Sequence, residues 1–142
     1  MCRLAVENLP EFLVDDRELR RPPPSYTIDT VREIKSGGEN EVFWLIGGDQ
    51  VAKLPTWHDA ESLIREATIL IMARPGFSFD FNTLPPVFQN LRKNLVSTPQ
   101  VDISATDIRQ RVREGKSIDG LTPPAVVRYI LEHGLYLPHR PR

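Results

Sequence analysis

Residues 42–73, VFWLIGGDQVAKLPTWHDAESLIREATILIMA, decide the fold. The stretch opens with the apolar run 42–46, which ends abruptly at Gly47-Gly48-Asp49, and closes with a second apolar run, TILIMA. Apolar runs without alternation are typical of strands that are buried on both faces of a parallel sheet. Between them, HDAESLIREA has helix-forming composition and an apolar side. The order predicts a βαβ unit with two parallel strands.

Local signals predict further elements on both sides of this unit. Residues 11–16, EFLVDD, predict a strand that leads into an exposed, basic and proline-rich loop. Residues 26–38, YTIDTVREIKSGG, predict a helix, because apolar residues recur at helical spacing before a pair of glycines. Residues 87–94 predict a short helix, and residues 95–103 predict an extended segment.

Two helices are predicted towards the C-terminal end. In ISATDIRQRVREG, residues 103–115, Ser104 has the position of an N-cap and Gly115 lies just past the last turn. Pro123 and Pro124 then occupy the first positions of a final helix. The fold class is therefore predicted to be α/β, with a mostly parallel sheet and a helical C-terminal end.

Length and composition limit the class of protein. With 142 residues, 40% hydrophobic and 26% charged, the chain fits one globular domain over residues 1–142. A net charge of -1 provides no field that would attract nucleic acid or a membrane surface. The single cysteine, Cys2, and the lack of a long apolar segment favour a reducing, cytoplasmic location. The three histidines are not spaced as a helical metal pair, so no protein metal site is predicted.

The start of the Ser104 helix is a candidate anion site. Free backbone N–H groups and the helix dipole favour an anion there, and Ser104 and Thr106 add hydroxyl donors. Arg109, in the second turn, could pair with phosphate oxygens in bidentate fashion. The alternative interpretation is an ordinary capped helix with a solvent-exposed arginine.

Further candidates follow from the rule that ligands of parallel sheets bind beyond the carboxyl ends of the strands. Asp49 could accept hydrogen bonds from ribose hydroxyls, although a tight turn alone also explains Gly47-Gly48-Asp49. Trp57, beside His58, could offer its indole to an aromatic substrate ring, although such residues often pack on the protein's own surface. Arg74 is a single cation at a strand end. We expect Asp49, Trp57 and the Ser104 helix to converge on one rim.

Five short motifs occur in the order and spacing of a known family. They are SYTIDT (25–30), GGD after a strand (47–49), KLPTWH (53–58), MARPG (72–76) and ISATDIR (103–109). Together they resemble the nicotinate-nucleotide adenylyltransferases of bacteria, over about Met1 to Tyr136, corresponding to that family's middle and C-terminal portions. The resemblance implies a Rossmann-like nucleotidyltransferase fold. It also implies transfer of AMP from ATP to nicotinate mononucleotide, giving deamido-NAD and pyrophosphate, with Mg²⁺ on the phosphates.

The resemblance also implies roles for single residues. The residues implied to bind nicotinate mononucleotide are Thr27, Asp49, Trp57 and His58, with Trp57 stacked on the nicotinate ring and Asp49 on the ribose. The residues implied to bind ATP are Arg74, Ser104, Thr106 and Arg109. Where the family commonly has a second serine after Ser104, this chain has Ala105.

The family's G-x-F-x-P-x-H-x-G-H motif, whose histidines contact the ATP phosphates, does not occur in the 142 residues. Because in-line adenylyl transfer relies on positioning and electrostatics, we expect turnover only in a more complete form of the chain. Two other hypotheses stay open: a catalytically silent, truncated nucleotide-binding protein, and a related nucleotidyltransferase with nicotinamide mononucleotide or pantetheine phosphate as acceptor. The sequence does not indicate an oligomeric state.

Overall fold

The computed structural model describes residues 1–39, 41–73, 76–99 and 101–138. The chain divides into two compact units, which we call the terminal unit, Met1–Asp15 with Val101–Arg142, and the sheet unit, Asp16–Gln100. The helices are α1 (Cys2–Ala5), α2 (Arg17–Arg20), α3 (Thr27–Ser36), α4 (Ala60–Glu66), α5 (Ala105–Arg113) and α6 (Pro124–Glu132); the strands are β1 (Phe43–Gly47), β2 (Thr68–Ala73) and β3 (Leu95–Ser97). The single domain expected over residues 1–142 stays a prediction.

The sheet unit contains the predicted βαβ unit. Strand β1 pairs in parallel with β2, with Phe43 opposite Thr68 and Gly47 opposite Met72, and α4 lies between the two strands in the chain. Strand β3 pairs in parallel with the other side of β2, so the sheet order is β1-β2-β3. Helices joined to a parallel sheet confirm the predicted α/β fold class.

One face of this sheet forms the core of the sheet unit. Ile69 and Ile71 of β2 are almost completely buried, in one cluster with Ile28 of α3 and Leu63 of α4. Burying one such aliphatic side chain contributes roughly 1.5–3 kcal/mol. The cluster therefore fixes α3 and α4 against the strands.

The opposite face corrects the prediction that β1 is buried on both sides. Phe43 and Leu45 are 55% and 53% exposed, whereas Ile46 is buried. Strand β1 is also an edge of the sheet formed by the described residues. An apolar run shows that a strand tolerates burial on both faces, but only the packing of neighbouring elements decides whether both are covered.

The strand predicted at residues 11–16 is wrong. Residues 12–16 have no regular secondary structure, and Leu13 is 91% exposed. A short apolar run becomes a strand only where a neighbouring strand supplies ladder hydrogen bonds, and the described part of the chain pairs none with these residues. The basic segment that follows contains the one-turn helix α2.

The terminal unit confirms both predicted C-terminal helices. Helix α5 follows Ser104, and α6 begins at Pro124, one residue later than the first proline. Their apolar sides meet in a cluster that includes Val112, Ile118 and Ile130. None of the helices in the described ranges is long and apolar enough to cross a lipid bilayer.

The ends of β1 and β2 are joined by a close aromatic contact. A Cβ atom added at Gly48 would lie 2.5 Å from Cε2 of Phe77, which is far inside van der Waals distance. Phe77 follows β2 in the chain and packs against the core of the sheet unit. The absence of a side chain at Gly48 therefore leaves space that the ring of Phe77 occupies in this structure.

Replacing Gly48 with alanine should lower the free energy of unfolding by about 1–3 kcal/mol, because the added methyl group overlaps the ring of Phe77. Urea denaturation followed by tryptophan fluorescence measures this loss. The same substitution in a Phe77→Leu background should cost less, because the smaller side chain leaves room for the methyl group. Equal losses in the two backgrounds would show that the ring is not the obstacle.

Candidate functional site

The structure brings two of the predicted acceptor-site segments together. Tyr26 is the N-cap of α3 and Thr27 is the first residue of that helix. The ring of Tyr26 stacks on the imidazole of His58, with ring centroids 4.0 Å apart and an interplanar angle of 22°. Thr27 and His58 therefore belong to one surface of the sheet unit, although they are far apart in the sequence.

Trp57 occupies a half-buried position beside this stack. It follows the 3₁₀ turn Leu54–Thr56, and its backbone N–H donates to the carbonyl oxygen of Leu54 at 3.0 Å. Its indole packs against the core of the sheet unit, as the alternative interpretation of the sequence expected. Stacking of the indole on a substrate ring stays a prediction.

Asp49 lies in the 3₁₀ turn Gly48–Gln50, directly after β1. Its side chain is exposed and accepts a hydrogen bond from Nε2 of Gln50 at 2.6 Å. The carboxylate folds back towards Gly47, where an added Cβ would lie 2.5 Å from Oδ1. The predicted tight turn is thus present together with an accessible carboxylate. Arg74 lies outside the described residues.

In the terminal unit, three predicted residues lie within the first turns of α5 or at its N-cap. Oγ of Ser104 accepts a hydrogen bond from the backbone N–H of Asp107 at 3.0 Å, which confirms Ser104 as the N-cap. Nη2 of Arg109 lies 3.3 Å from Oγ1 of Thr106, to which it donates, and Arg109 is half-buried. The guanidinium is therefore held over the first turn, where the helix dipole favours anions.

An ion-pair network that the sequence did not reveal connects α3 with α4. Nη2 of Arg32 donates to Asp59 at 3.0 Å and to Glu66 at 2.8 Å. The hydrogen bonds that Arg32 donates to Glu66 and to Asp59 raise the pKa of Arg32, and the bond to Arg32 lowers the pKa of Glu66. The pKa of Asp59 is lowered mainly by a hydrogen bond with Ser62 and then by Arg32. All these charges are therefore retained at neutral pH.

A second polar network fixes the segment before α3. Nη1 of Arg21 donates to Oγ of Ser25 at 3.2 Å, and Nη2 of the same residue donates to Thr30 and Glu33. Thr30 is a buried polar residue, and its hydroxyl donates to Glu18 at 2.6 Å. The backbone that leads to Tyr26 is thus tied to α2 and α3 before the helix begins.

The candidate residues form two groups, one in each compact unit. Thr27, Trp57 and His58 lie in the sheet unit, whereas Ser104 and Arg109 lie in the terminal unit. The expected convergence of both groups on one rim stays a prediction.

Comparison with known proteins identifies the family. A family model described as cytidylyltransferase-like matches residues 1–111. A protein of Roseiflexus sp. (strain RS-1), named a probable nicotinate-nucleotide adenylyltransferase, is 41% identical over 138 residues, which cover 96% of this chain and 69% of that protein. The chain belongs to the nicotinate-nucleotide adenylyltransferase family. Relatives of the same name in Pectobacterium atrosepticum and Thermus thermophilus are 42% and 41% identical, with 72% and 70% of their lengths covered.

Solved structures support the nucleotidyltransferase fold. Plasmodium falciparum nicotinic acid mononucleotide adenylyltransferase complexed with APC aligns with a TM-score of 0.61 at 19% identity, over 92% of this chain and 70% of that one. The same enzyme complexed with NaAD aligns with a TM-score of 0.57 at 21% identity, over 80% of this chain and 58% of that one. The alignments confirm for this chain the Rossmann-like fold that the family resemblance implied.

Substituting Ser104 tests its role as N-cap of α5. Ser104→Ala should lower the free energy of unfolding by about 1 kcal/mol, because the N–H of Asp107 loses its acceptor. Ser104→Asp should leave stability close to that of the unchanged protein, because aspartate also accepts this bond. Urea denaturation followed by circular dichroism compares the two variants. Equal destabilisation by both would show that the hydroxyl contact does not stabilise the helix start.

Proposed function

We propose that this chain binds the two substrates for transfer of AMP from ATP to nicotinate mononucleotide, which produces deamido-NAD and pyrophosphate. The observation that carries the proposal is the stack of Tyr26 on His58, because it joins the two motif segments that the family resemblance assigns to the nicotinate ring. Family membership supports the reaction type. The reaction belongs to NAD biosynthesis, which we place in the cytoplasm.

Nicotinate mononucleotide would bind beside the start of α3. Thr27 is the first residue of that helix, so the positive end of the helix dipole lies next to His58. An anionic ring substituent would be stabilised there, which favours nicotinate over nicotinamide as the acceptor. Trp57 would stack on the ring, and the exposed carboxylate of Asp49 would accept hydrogen bonds from the ribose hydroxyls.

ATP would bind at the start of α5. The hydroxyls of Ser104 and Thr106, the backbone N–H groups of the first turn and the guanidinium of Arg109 would bind the phosphates. The bond between Thr106 and Arg109 already holds that guanidinium near the helix start. By resemblance, Arg74 would also contribute to the nucleotide site.

The family resemblance implies Mg²⁺ together with ATP. The described residues contain no group of three or more His, Cys, Asp or Glu side chains that could hold a metal ion. Mg²⁺ is commonly held by substrate phosphates with only one or two carboxylates. We propose that Mg²⁺ binds the ATP phosphates, where it would neutralise the charge of the pyrophosphate leaving group.

The chemical step is an in-line displacement. The phosphate of nicotinate mononucleotide attacks the α-phosphorus of ATP, and pyrophosphate leaves with the electron pair of the broken bond. The chain binds and orients both nucleotides, and the charge that develops needs further donors. The family's H-x-G-H histidines are such donors and do not occur in the 142 residues.

An AMP-transfer assay tests the reaction and the acceptor together. The 142-residue chain and a form joined to a segment with the family's G-x-F-x-P-x-H-x-G-H motif are each given ATP, Mg²⁺ and nicotinate or nicotinamide mononucleotide. We expect deamido-NAD from the joined form, with turnover of the shorter chain lower by at least roughly 10²–10³-fold, because electrostatic donors are missing. Chromatography of the products measures both rates.

Each other outcome of this assay has a definite meaning. Equal turnover by both forms would show that the histidines are dispensable. Faster reaction with nicotinamide mononucleotide would reject nicotinate as the acceptor. Binding of ATP without transfer by either form would favour a catalytically silent nucleotide-binding protein.

Two substitutions in the joined form should separate the two substrates. Arg109→Ala should raise the KM for ATP about tenfold and lower kcat, because a charge-assisted bond to phosphate is lost. Trp57→Ala should raise mainly the KM for nicotinate mononucleotide, because ring stacking is lost. Steady-state kinetics with each substrate varied in turn measures both effects.

A matched control for Arg109 is Arg113→Ala, which removes the same charge from the exposed far end of α5. It should leave both KM values unchanged. Thermal denaturation of the Trp57 variant controls for the lost packing of its indole on the core. Unchanged KM values in the Arg109 and Trp57 variants would remove both site assignments.

A further inference from the structure

The two segments proposed to enclose the nicotinate ring are connected by one side chain. Arg32 lies on α3, the helix that begins at Thr27, and Nη2 of Arg32 donates to Oδ2 of Asp59 at 3.0 Å. Asp59 directly follows His58 in the chain and is the N-cap of α4. The bond therefore links α3, which begins at Thr27, to Asp59, which directly follows Trp57 and His58.

The same guanidinium is anchored at the opposite end of α4. Nε of Arg32 donates to both carboxylate oxygens of Glu66, at 3.1 and 3.2 Å, and Nη2 donates to Oε1 at 2.8 Å. Glu66 is the last residue of α4, and Asp59 precedes the first. Arg32 thus spans α4 and binds both of its ends, which requires the several donors of a planar guanidinium.

The backbone at Asp59 explains why this tie matters locally. Asp59 has φ 48°, in the left-handed region, and this conformation turns the chain from His58 into α4. Aspartate and asparagine tolerate that region better than most residues, because their short polar side chains make local hydrogen bonds. The backbone of Asp59 sets the direction in which the Trp57-His58 loop enters α4. The bond to Arg32 holds the side chain of this same residue.

We propose that Arg32 is a positioning residue for the nicotinate site, which fixes the loop carrying Trp57 and His58 against the start of α3. This inference rests on the function proposed above. Arg32 acts through Asp59 rather than through contact with the substrate. Both ion pairs of Arg32, with Asp59 and with Glu66, are partly exposed, and exposed ion pairs contribute little to stability. The expected consequence of losing Arg32 is therefore a misplaced loop more than an unfolded chain.

Equilibrium binding to the 142-residue chain tests the inference. Arg32→Ala and Asp59→Asn should each weaken binding of nicotinate mononucleotide about tenfold, because the stacking surfaces no longer hold their positions. Asparagine keeps the preference for the left-handed backbone, but its neutral amide has one acceptor oxygen and replaces the charge-assisted bond to Arg32 with at most a weaker neutral one. Arg32→Lys should not restore affinity, since an ammonium group lacks the fork that reaches both carboxylates. Isothermal titration calorimetry measures the unchanged protein and all three variants.

The matched control is Lys35→Ala. Nζ of Lys35 donates to the backbone oxygen of Glu66 at 3.0 Å, so it also ties α3 to α4 but does not reach Asp59. This variant should keep its affinity for nicotinate mononucleotide, and thermal denaturation measures how much stability each of the two variants loses. A purely structural role of Arg32 would instead weaken binding equally in both variants and would overturn the inference.

A readout without substrate separates this inference from the proposed function. The stack with Tyr26 should shift the ring-proton NMR signals of His58, and Arg32→Ala should reduce that shift whereas Lys35→Ala should not. If the unchanged protein does not bind nicotinate mononucleotide, the proposed acceptor site is wrong, and the His58 signal still decides whether Arg32 positions the loop. A His58 shift that is the same in the Arg32 variant and in the unchanged protein would reject the positioning role.

Discussion

The parallel pairing of β1 with β2 is the constraint on which the rest of the sheet unit depends. Because Gly47 lies opposite Met72, both strands end at the same level, and the chain leaves them at one edge of the sheet. Asp49 follows β1 in a 3₁₀ turn, and Gly48 and the ring of Phe77 meet beyond these strand ends. The crossover between the strands contains Trp57, His58 and α4, so the candidate acceptor site is part of the βαβ connection itself.

Sequence signals predicted the elements whose causes are local. The starts of α5 and α6 follow from Ser104 and from the proline pair, because a cap or a proline acts within one turn. The burial of β1 and the strand at residues 11–16 were predicted wrongly for a common reason. Apolar composition shows that a segment can be buried. Whether Leu13 and Leu45 are buried depends on which neighbouring elements cover them, and both residues are exposed.

The sequence predicted which motifs form the candidate site, but it did not predict the contacts between them. Each motif is short enough to occur by chance, and their common order and spacing identified the family that the comparisons then confirmed. The contacts that hold α3 and α4 together are long-range in sequence. Arg32 donates hydrogen bonds to Asp59 and Glu66, which are 27 and 34 residues away. Local sequence patterns do not predict which charged side chains pair at such separations, because many other charged residues could have been the partner of Arg32.

The small net charge of the chain explains why the positions of single residues would matter for binding the proposed substrates. Both proposed substrates are anionic, yet the chain has a net charge of -1 and gives them no general attraction. In the proposed sites, attraction for these anions would come from the helix starts at Thr27 and Ser104 and from Arg109, and such electrostatic effects fade within about 10 Å at moderate salt. Arg32 adds no free positive charge to this set, because Asp59 and Glu66 together carry more negative charge than it neutralises. Any contribution of Arg32 to binding an anion must therefore be positional, since the charge of its own cluster opposes the substrate.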